Sequence, residues 1–159
     1  VLDADALNAV AADAGLRQRL RARASHGHAT VITPHPLEAA RLADTTVSAI
    51  QADRVAQAQA LANELACTVL LKGSGTVVSA AGALPRVNPT GHARLGSGGS
   101  GDVLAGWIGG LWSASGAPAP EVAAGAAWLH GRAAEAPPLG LPLTADHQVA
   151  AMLAAAAAL

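Results

Sequence analysis

The sequence is poor in cysteine and in aromatic residues, and it carries almost no net charge. Its 159 residues include one cysteine, Cys67, three tryptophans and neither tyrosine nor phenylalanine, and the formal charge is −1. A single cysteine excludes an internal disulfide framework and fits a reducing compartment. A near-neutral chain with few aromatic rings is not expected to bind nucleic acid or an anionic membrane. No signal peptide and no bilayer-length apolar run is visible, so we expect a cytoplasmic protein.

The length suits one domain of ordinary size with a hydrophobic core, and the abundance of alanine favours helices. The first residues, Val1 to Asp3, read as the end of a buried strand. We therefore expect the N-terminal part of the fold to be missing. We interpret residues 1–159 as the C-terminal portion of a single, larger domain.

The most informative segment is a glycine-rich stretch at 96–101, followed by Asp102 and by apolar residues at helical spacing from Val103 to Trp112. The amides that begin a helix attract anions, and glycine allows the backbone to approach a ligand closely. A carboxylate at position 102 suits a general base that takes a proton from a hydroxyl attacking a bound phosphate. The same composition is also typical of a flexible linker, so both interpretations stay open on the residues alone.

Apolar patterning predicts an alternation of strands and helices. A strand, a long helix and a second strand are predicted at 29–33, 47–66 and 68–72. This order is typical of a parallel sheet with a crossover helix. Further strands and helices are predicted at 77–78, 83–87, 120–136 and 147–159. We interpret His130 as a packed side chain and the last helix as a packing element.

Polar residues follow the predicted strands at their carboxyl ends, where α/β sheets bind ligands. They are Asp3 and Asp5, His35, the segment Lys72–Thr76, and Asn88. We expect them to converge with Asp102 on one site. Each also has a structural interpretation: an N-cap for Asp3 or Asp5, a surface-loop residue for His35, and a hairpin turn for Gly73–Gly75.

Four spaced motifs resemble the ADP/ATP-dependent NAD(P)H-hydrate dehydratases, in the order found in that family. They are VLDADALN at 1–8, TPHPLE at 33–38, LKGSGT at 71–76, and NPTG at 88–91 with GGSGD at 98–102. The resemblance implies a three-layer α/β ribokinase-like fold, with a mostly parallel central sheet flanked by helices.

The resemblance also implies roles for individual residues. Asp102 would be catalytic and would face the substrate hydroxyl, and His35 and Asn88 would bind substrate with it. Adenine nucleotide would be held by two segments, Lys72, Gly73, Ser74, Gly75 and Thr76, and Gly98, Gly99, Ser100 and Gly101. A Mg²⁺ ion would bridge nucleotide oxygens. Its protein ligands are not identified by the motifs, and Glu38 is a candidate.

The implied reaction is the repair of hydrated NADH or NADPH. ADP or ATP phosphorylates the ring hydroxyl, and phosphate then leaves. We expect a homo-oligomer, and an upstream epimerase domain is compatible with the resemblance. Two alternatives remain: a kinase of the same fold acting on a vitamin-precursor alcohol, and a nucleotide-binding module without catalysis.

Overall fold

The structure is a computed structural model that describes residues 1–136 and 143–159. Within these ranges the helices are α1 (Asp5–Ala12), α2 (Ala14–Ser25), α3 (Pro36–Leu42), α4 (Val47–Ala52), α5 (Arg54–Leu65), α6 (Ser100–Ser115), α7 (Ala119–Glu135) and α8 (Ala145–Ala157). The strands are β1 (Val31–Ile32), β2 (Thr68–Leu71), β3 (Val77–Ser79) and β4 (Arg86–Val87), and a short 3-10 helix spans Ala93–Gly96. None of the described helices combines the length and the apolar character needed to cross a lipid bilayer.

The strands form one sheet in the order β1-β2-β3-β4. β1 runs parallel to β2, and Leu2 adds a parallel bridge to Ile32 on the outer side of β1. The predicted crossover from β1 to β2 is therefore confirmed, with α3, α4 and α5 as the connection. β2, β3 and β4 are antiparallel, so the described sheet is mixed and the segment Lys72–Thr76 connects a hairpin.

Helices cover the sheet on both faces, which makes three layers. Because side chains alternate along a strand, Val69 and Leu71 of β2 enter the core beneath α1, α3, α4 and α5, whereas Leu70 packs on the opposite face with α6 and α7. A third cluster joins α6, α7 and α8 around Met152, which is fully buried. The α/β class with flanking helices is confirmed.

The long helix predicted at 47–66 is in fact two helices. Asp53 leaves the helical region of backbone space at φ −147° and ψ 79°, and its carboxylate accepts a hydrogen bond from the amide of Ala56. Asp53 is thus the N-cap of α5, a role for which aspartate is well suited. The break places Arg54 at the first turn of α5, beside the carboxyl end of β2.

The loop after β4 is pressed against α7 at Gly131. A β-carbon built on Gly131 would lie 2.7 Å from the backbone carbonyl carbon of Thr90, closer than real side chains approach. Gly125, on the same helix, has no atom within 4 Å of that position. The glycine at 131 is therefore required by close packing, and the glycine at 125 is not.

We expect Gly131→Ala to lower the free energy of unfolding by about 1–3 kcal/mol, because the added methyl group overpacks the contact with Thr90. Gly125→Ala is the matched control and should raise stability by about 0.5–1 kcal/mol through helix propensity. Urea denaturation followed by circular dichroism measures both changes. Equal effects of the two substitutions would contradict the close packing at Thr90.

Candidate active site

A cleft of about 770 Å³ opens at the carboxyl end of β2, between the hairpin turn and the first turn of α6. Its walls are formed by residues from both predicted nucleotide segments and from the loop after β4. They are Lys72, Gly73, Ser74, Gly75, Thr76, Val87, Asn88, Pro89, Thr90, Gly91, His92, Ala93, Leu95, Gly96, Ser100, Gly101, Leu104 and His130. The structure therefore brings Lys72–Thr76, Asn88, Ser100 and Gly101 together on one cleft.

Lys72 connects the strand ends to the glycine-rich loop. Its Nζ lies 2.8 Å from Asp3 Oδ1 and 3.9 Å from Glu38 Oε2. A β-carbon on Gly101 would lie 3.2 Å from the same nitrogen, so the absence of a side chain at 101 lets the ammonium approach α6. The N-cap of α1 is Ala4, without a side-chain hydrogen bond, so the capping interpretation of Asp3 and Asp5 is wrong. Asp3 instead pairs with the Lys72 ammonium.

His35 is held by a capping box at the start of α3. Its Nδ1 accepts hydrogen bonds from the amides of Leu37 and Glu38, at 3.1 and 3.3 Å, and Glu38 Oε2 accepts one from the amide of His35 at 2.8 Å. Since Nδ1 is an acceptor, the proton of the neutral ring is on Nε2. That N–H lies 3.4 Å from Glu38 Oε1, and the side chain of His35 is about half exposed. His35 reaches the Lys72 cluster only through Glu38 and does not line the cleft, so its contact with substrate stays a prediction.

The glycine-rich segment is the start of α6 and not a linker. Gly99 is its N-cap with φ 82°, a left-handed conformation that favours glycine, and α6 begins at Ser100. Ala145 also excludes a side chain at position 99, because a β-carbon added to Gly99 would lie 3.0 Å from Ala145 Cβ. The amide of Ser100 donates to the carbonyl of Ser97 at 3.3 Å, whereas the amides of Gly101 and Asp102 have no partner among the described residues. Ser100 and Gly101 line the cleft.

Asp102 stands in the first turn of α6 and is exposed. It lies about 100° around the helix from Gly101, so it borders the cleft from the neighbouring face and does not line it. Among the described residues it has no hydrogen-bond or ion-pair partner. A carboxylate that the fold does not use is available to a ligand.

The sequence analysis did not identify the role of Arg54, whose side chain binds the carbonyls of the hairpin turn. Its Nη2 donates to the carbonyls of Leu71, Lys72 and Gly75 at 3.1, 3.3 and 3.5 Å. Burial lowers the pKa of its guanidinium from the ordinary value. Because these carbonyls face Arg54, the amides at 73–76 remain available to a ligand in the cleft. Only the helix break at Asp53, which the apolar pattern concealed, would have pointed to this position.

Asn88 supports the opposite wall. Its Oδ1 accepts hydrogen bonds from the amide and hydroxyl of Thr90, and its Nδ2 donates to the carbonyl of Ala127 at 3.1 Å. The side chain thus holds the loop against α7. Its predicted contact with substrate stays a prediction, since the structure gives its amide a positioning contact.

Two further polar residues, His130 and Gln148, lie beneath the glycine-rich loop and contact its serines. His130 Nε2 is 3.1 Å from Ser100 Oγ and 3.0 Å from Gln148 Oε1, and Gln148 Nε2 donates to Ser97 Oγ at 3.3 Å. Burial lowers the pKa of His130, although its hydrogen bond to Gln148 acts in the opposite direction. The interpretation of the last helix as packing only is therefore incomplete, since α8 supplies Gln148.

The carboxylates near Lys72 fit a magnesium ion that is held mainly by a nucleotide. Mg²⁺ is commonly bound through one or two carboxylates together with phosphate oxygens. Asp3 and Glu38 both border the Lys72 ammonium. Within residues 1–136 and 143–159, no group of three or more His, Cys, Asp or Glu forms a metal cage.

Comparison with solved structures identifies the class of fold to which the chain belongs. A ribokinase-like superfamily protein from Enterococcus faecalis shares the fold over 98% of the chain and 51% of its own, with a TM-score of 0.66 and 23% identity. A crystal structure of an ADP/ATP-dependent NAD(P)H-hydrate dehydratase from Bacillus subtilis, with ATP and Mg²⁺, superposes with a TM-score of 0.74 at 30% identity. It covers 82% of this chain and 48% of the Bacillus chain. The fold is thus ribokinase-like.

The family model for NAD(P)H-hydrate dehydratase matches residues 1–158, so the chain belongs to this family. The ADP-dependent (S)-NAD(P)H-hydrate dehydratase of Neisseria meningitidis is 47% identical over 135 residues. That alignment covers 85% of this chain and 44% of the relative. The chain therefore spans less than half the length of this relative.

We expect Arg54→Met to lower the free energy of unfolding by about 1.5–3 kcal/mol, the usual contribution of hydrogen bonds to a charged group. Hydrogen exchange of the amides at 73–76 should also accelerate, because the turn loses its carbonyl anchor. Arg19→Met, on the exposed face of α2, is the control and should change stability by less than about 0.5 kcal/mol. Unchanged exchange at 73–76 in Arg54→Met would contradict the anchoring role.

Proposed function

We propose that this chain functions in the ADP- or ATP-dependent dehydration of (S)-NAD(P)H hydrate to NAD(P)H. The observation that carries the proposal is the close approach of the Lys72 ammonium to Gly101, in the first turn of the helix that also bears the unpartnered carboxylate of Asp102. A phosphate site and a base for a hydroxyl thus share one helix turn. The names of the Neisseria and Bacillus relatives support the same reaction.

In the proposed complex the adenine nucleotide occupies the cleft. Amides of the hairpin turn at 73–76 and of Gly98, Gly99 and Gly101 donate hydrogen bonds to its phosphates, and the Lys72 ammonium adds charge. The amides of Lys72 and Ser100 already donate to the carbonyls of Pro34 and Ser97. Preorganised donors of this kind stabilise negative charge on a transferring phosphoryl group without reorganising solvent. Magnesium bound to the nucleotide, with Asp3 and Glu38 as the nearest carboxylates, would neutralise phosphate charge.

The hydrated nicotinamide lies on the side of Asp102 and His35. Asp102 takes the proton of the ring hydroxyl while the hydroxyl oxygen attacks the terminal phosphorus of the nucleotide. The bond between that phosphorus and the bridging oxygen of the nucleotide breaks. The bond between the ring carbon and the ester oxygen then breaks and inorganic phosphate leaves. The neighbouring ring carbon loses a proton to solvent, and the double bond that forms restores NAD(P)H. Hydroxide is a poor leaving group and phosphate a better one. His35 donates from Nε2 and orients the substrate.

Removal of the base should abolish most turnover without removing the nucleotide site. We expect Asp102→Asn to reduce the rate about 10²- to 10⁴-fold, the range for general base catalysis, with little change in ADP affinity. Recovery of NAD(P)H is followed at 340 nm on NAD(P)H hydrate, with ADP and then with ATP. Asp44→Asn is the matched control, since Asp44 is also an exposed aspartate but lies beyond the end of α3, away from the cleft.

Near-normal turnover in Asp102→Asn would remove Asp102 from the mechanism. Failure of the unsubstituted chain to release NAD(P)H with either nucleotide would contradict the proposed reaction. A stable phosphorylated product would indicate a kinase, and nucleotide binding without turnover would indicate a binding module.

Lys72 should contribute more to the affinity for the nucleotide than to the affinity for the substrate. We expect Lys72→Met to weaken ADP about 10- to 100-fold, the equivalent of one charge-assisted hydrogen bond, and to change substrate affinity less. Calorimetric titration of ADP with Mg²⁺ and of the hydrate measures the two affinities. Because Asp3 and Glu38 lose their partner, unfolding is measured in parallel, and Arg19→Met again serves as control. A larger loss for substrate than for nucleotide would reassign Lys72.

A further inference from the structure

A buried chain of polar side chains runs from α8 to the first residue of α6. Ser100 is 4% exposed, His130 6% and Gln148 0%. Unpaired polar groups at this depth are costly, so their hydrogen bonds must be satisfied in a consistent direction. That direction follows from the chemistry of the atoms at each end.

The chain of hydrogen bonds starts at the carbonyl of Leu143, which can only accept. Gln148 lies 3.2 Å from it, so the atom facing Leu143 is the amide nitrogen. The amide oxygen of Gln148 therefore faces His130 Nε2, at 3.0 Å. Since an amide oxygen only accepts, Nε2 carries a proton, whether the ring is neutral or charged.

The same Nε2 proton faces Ser100 Oγ at 3.1 Å. The hydroxyl of Ser100 cannot donate to a protonated nitrogen, so it accepts, and its own proton is left over. Within residues 1–136 and 143–159, Ser100 Oγ has no other hydrogen-bond partner. Ser100 lines the cleft beside Gly101 and Lys72, so the remaining donor is available to a ligand there.

We infer that His130 and Gln148 are positioning residues that fix the Ser100 hydroxyl as a hydrogen-bond donor to a phosphate in the cleft. The inference rests on the proposed nucleotide site and adds two residues to it. His130 need not contact the nucleotide. It acts by occupying the acceptor side of Ser100, so that the hydroxyl arrives at the ligand already oriented as a donor, which limits the entropy lost on binding.

The test is a set of variants titrated calorimetrically with ADP in the presence of Mg²⁺, with thermal unfolding recorded for each. Ser100→Ala and His130→Met should each weaken ADP about tenfold, which corresponds to one hydrogen bond to a charged group. His130→Gln keeps an amide donor near the position of Nε2 and should restore most of the affinity. In the Ser100→Ala background, His130→Met should cause no further loss of affinity.

The outcomes distinguish a positioning role of His130 from a general effect of its substitution on the fold. A tenfold loss from His130→Met that persists in the Ser100→Ala background would show that His130 acts through the fold, and would overturn the inference. Wild-type affinity in Ser100→Ala, or failure of His130→Gln to restore binding, would overturn it while leaving the proposed nucleotide site intact. Absence of ADP binding by the unsubstituted chain would overturn both.

Discussion

The architecture of the site depends on one ammonium group placed among two carboxylates and a helix terminus. Lys72 directly follows β2, Asp3 follows the strand-like bridge at Leu2, and Glu38 belongs to the first turn of α3 after β1. Three segments that are distant in sequence therefore meet at a single nitrogen. This charge arrangement explains why the carboxyl edge of the sheet, and not another surface, carries the candidate site. Gly101 completes it, since a larger residue would displace the ammonium.

The loops around the cleft are held in place by side chains that bind their backbone groups. Arg54 binds carbonyls of the hairpin turn, and Asn88 ties its loop to α7. Residues that support a site from outside can matter as much as those that touch the ligand, because binding requires groups held in place beforehand.

Much of this site could be predicted from the sequence, because the functional residues follow strands or begin a helix. The positions of His35, Lys72 and Asp102 relative to their elements were evident from apolar patterning and glycine content. The break at Asp53 was not, since alanine-rich sequence continues on both sides of it and the pattern resembles one helix. Gln148 could not be assigned either. A glutamine in an alanine-rich helix reads as solvent-exposed until the tertiary fold buries it against His130.

The contact of Gly99 with Ala145 brings the beginnings of α6 and α8 against each other. Each helix start carries about half a positive charge, and each first turn also carries an aspartate, Asp102 or Asp146. The pKa of Asp146 is lowered, chiefly by a hydrogen bond from Thr144. The aspartates offset the like partial charges of the two helix starts, so the helices can begin side by side. Any residue larger than glycine at position 99 would push the beginnings of α6 and α8 apart.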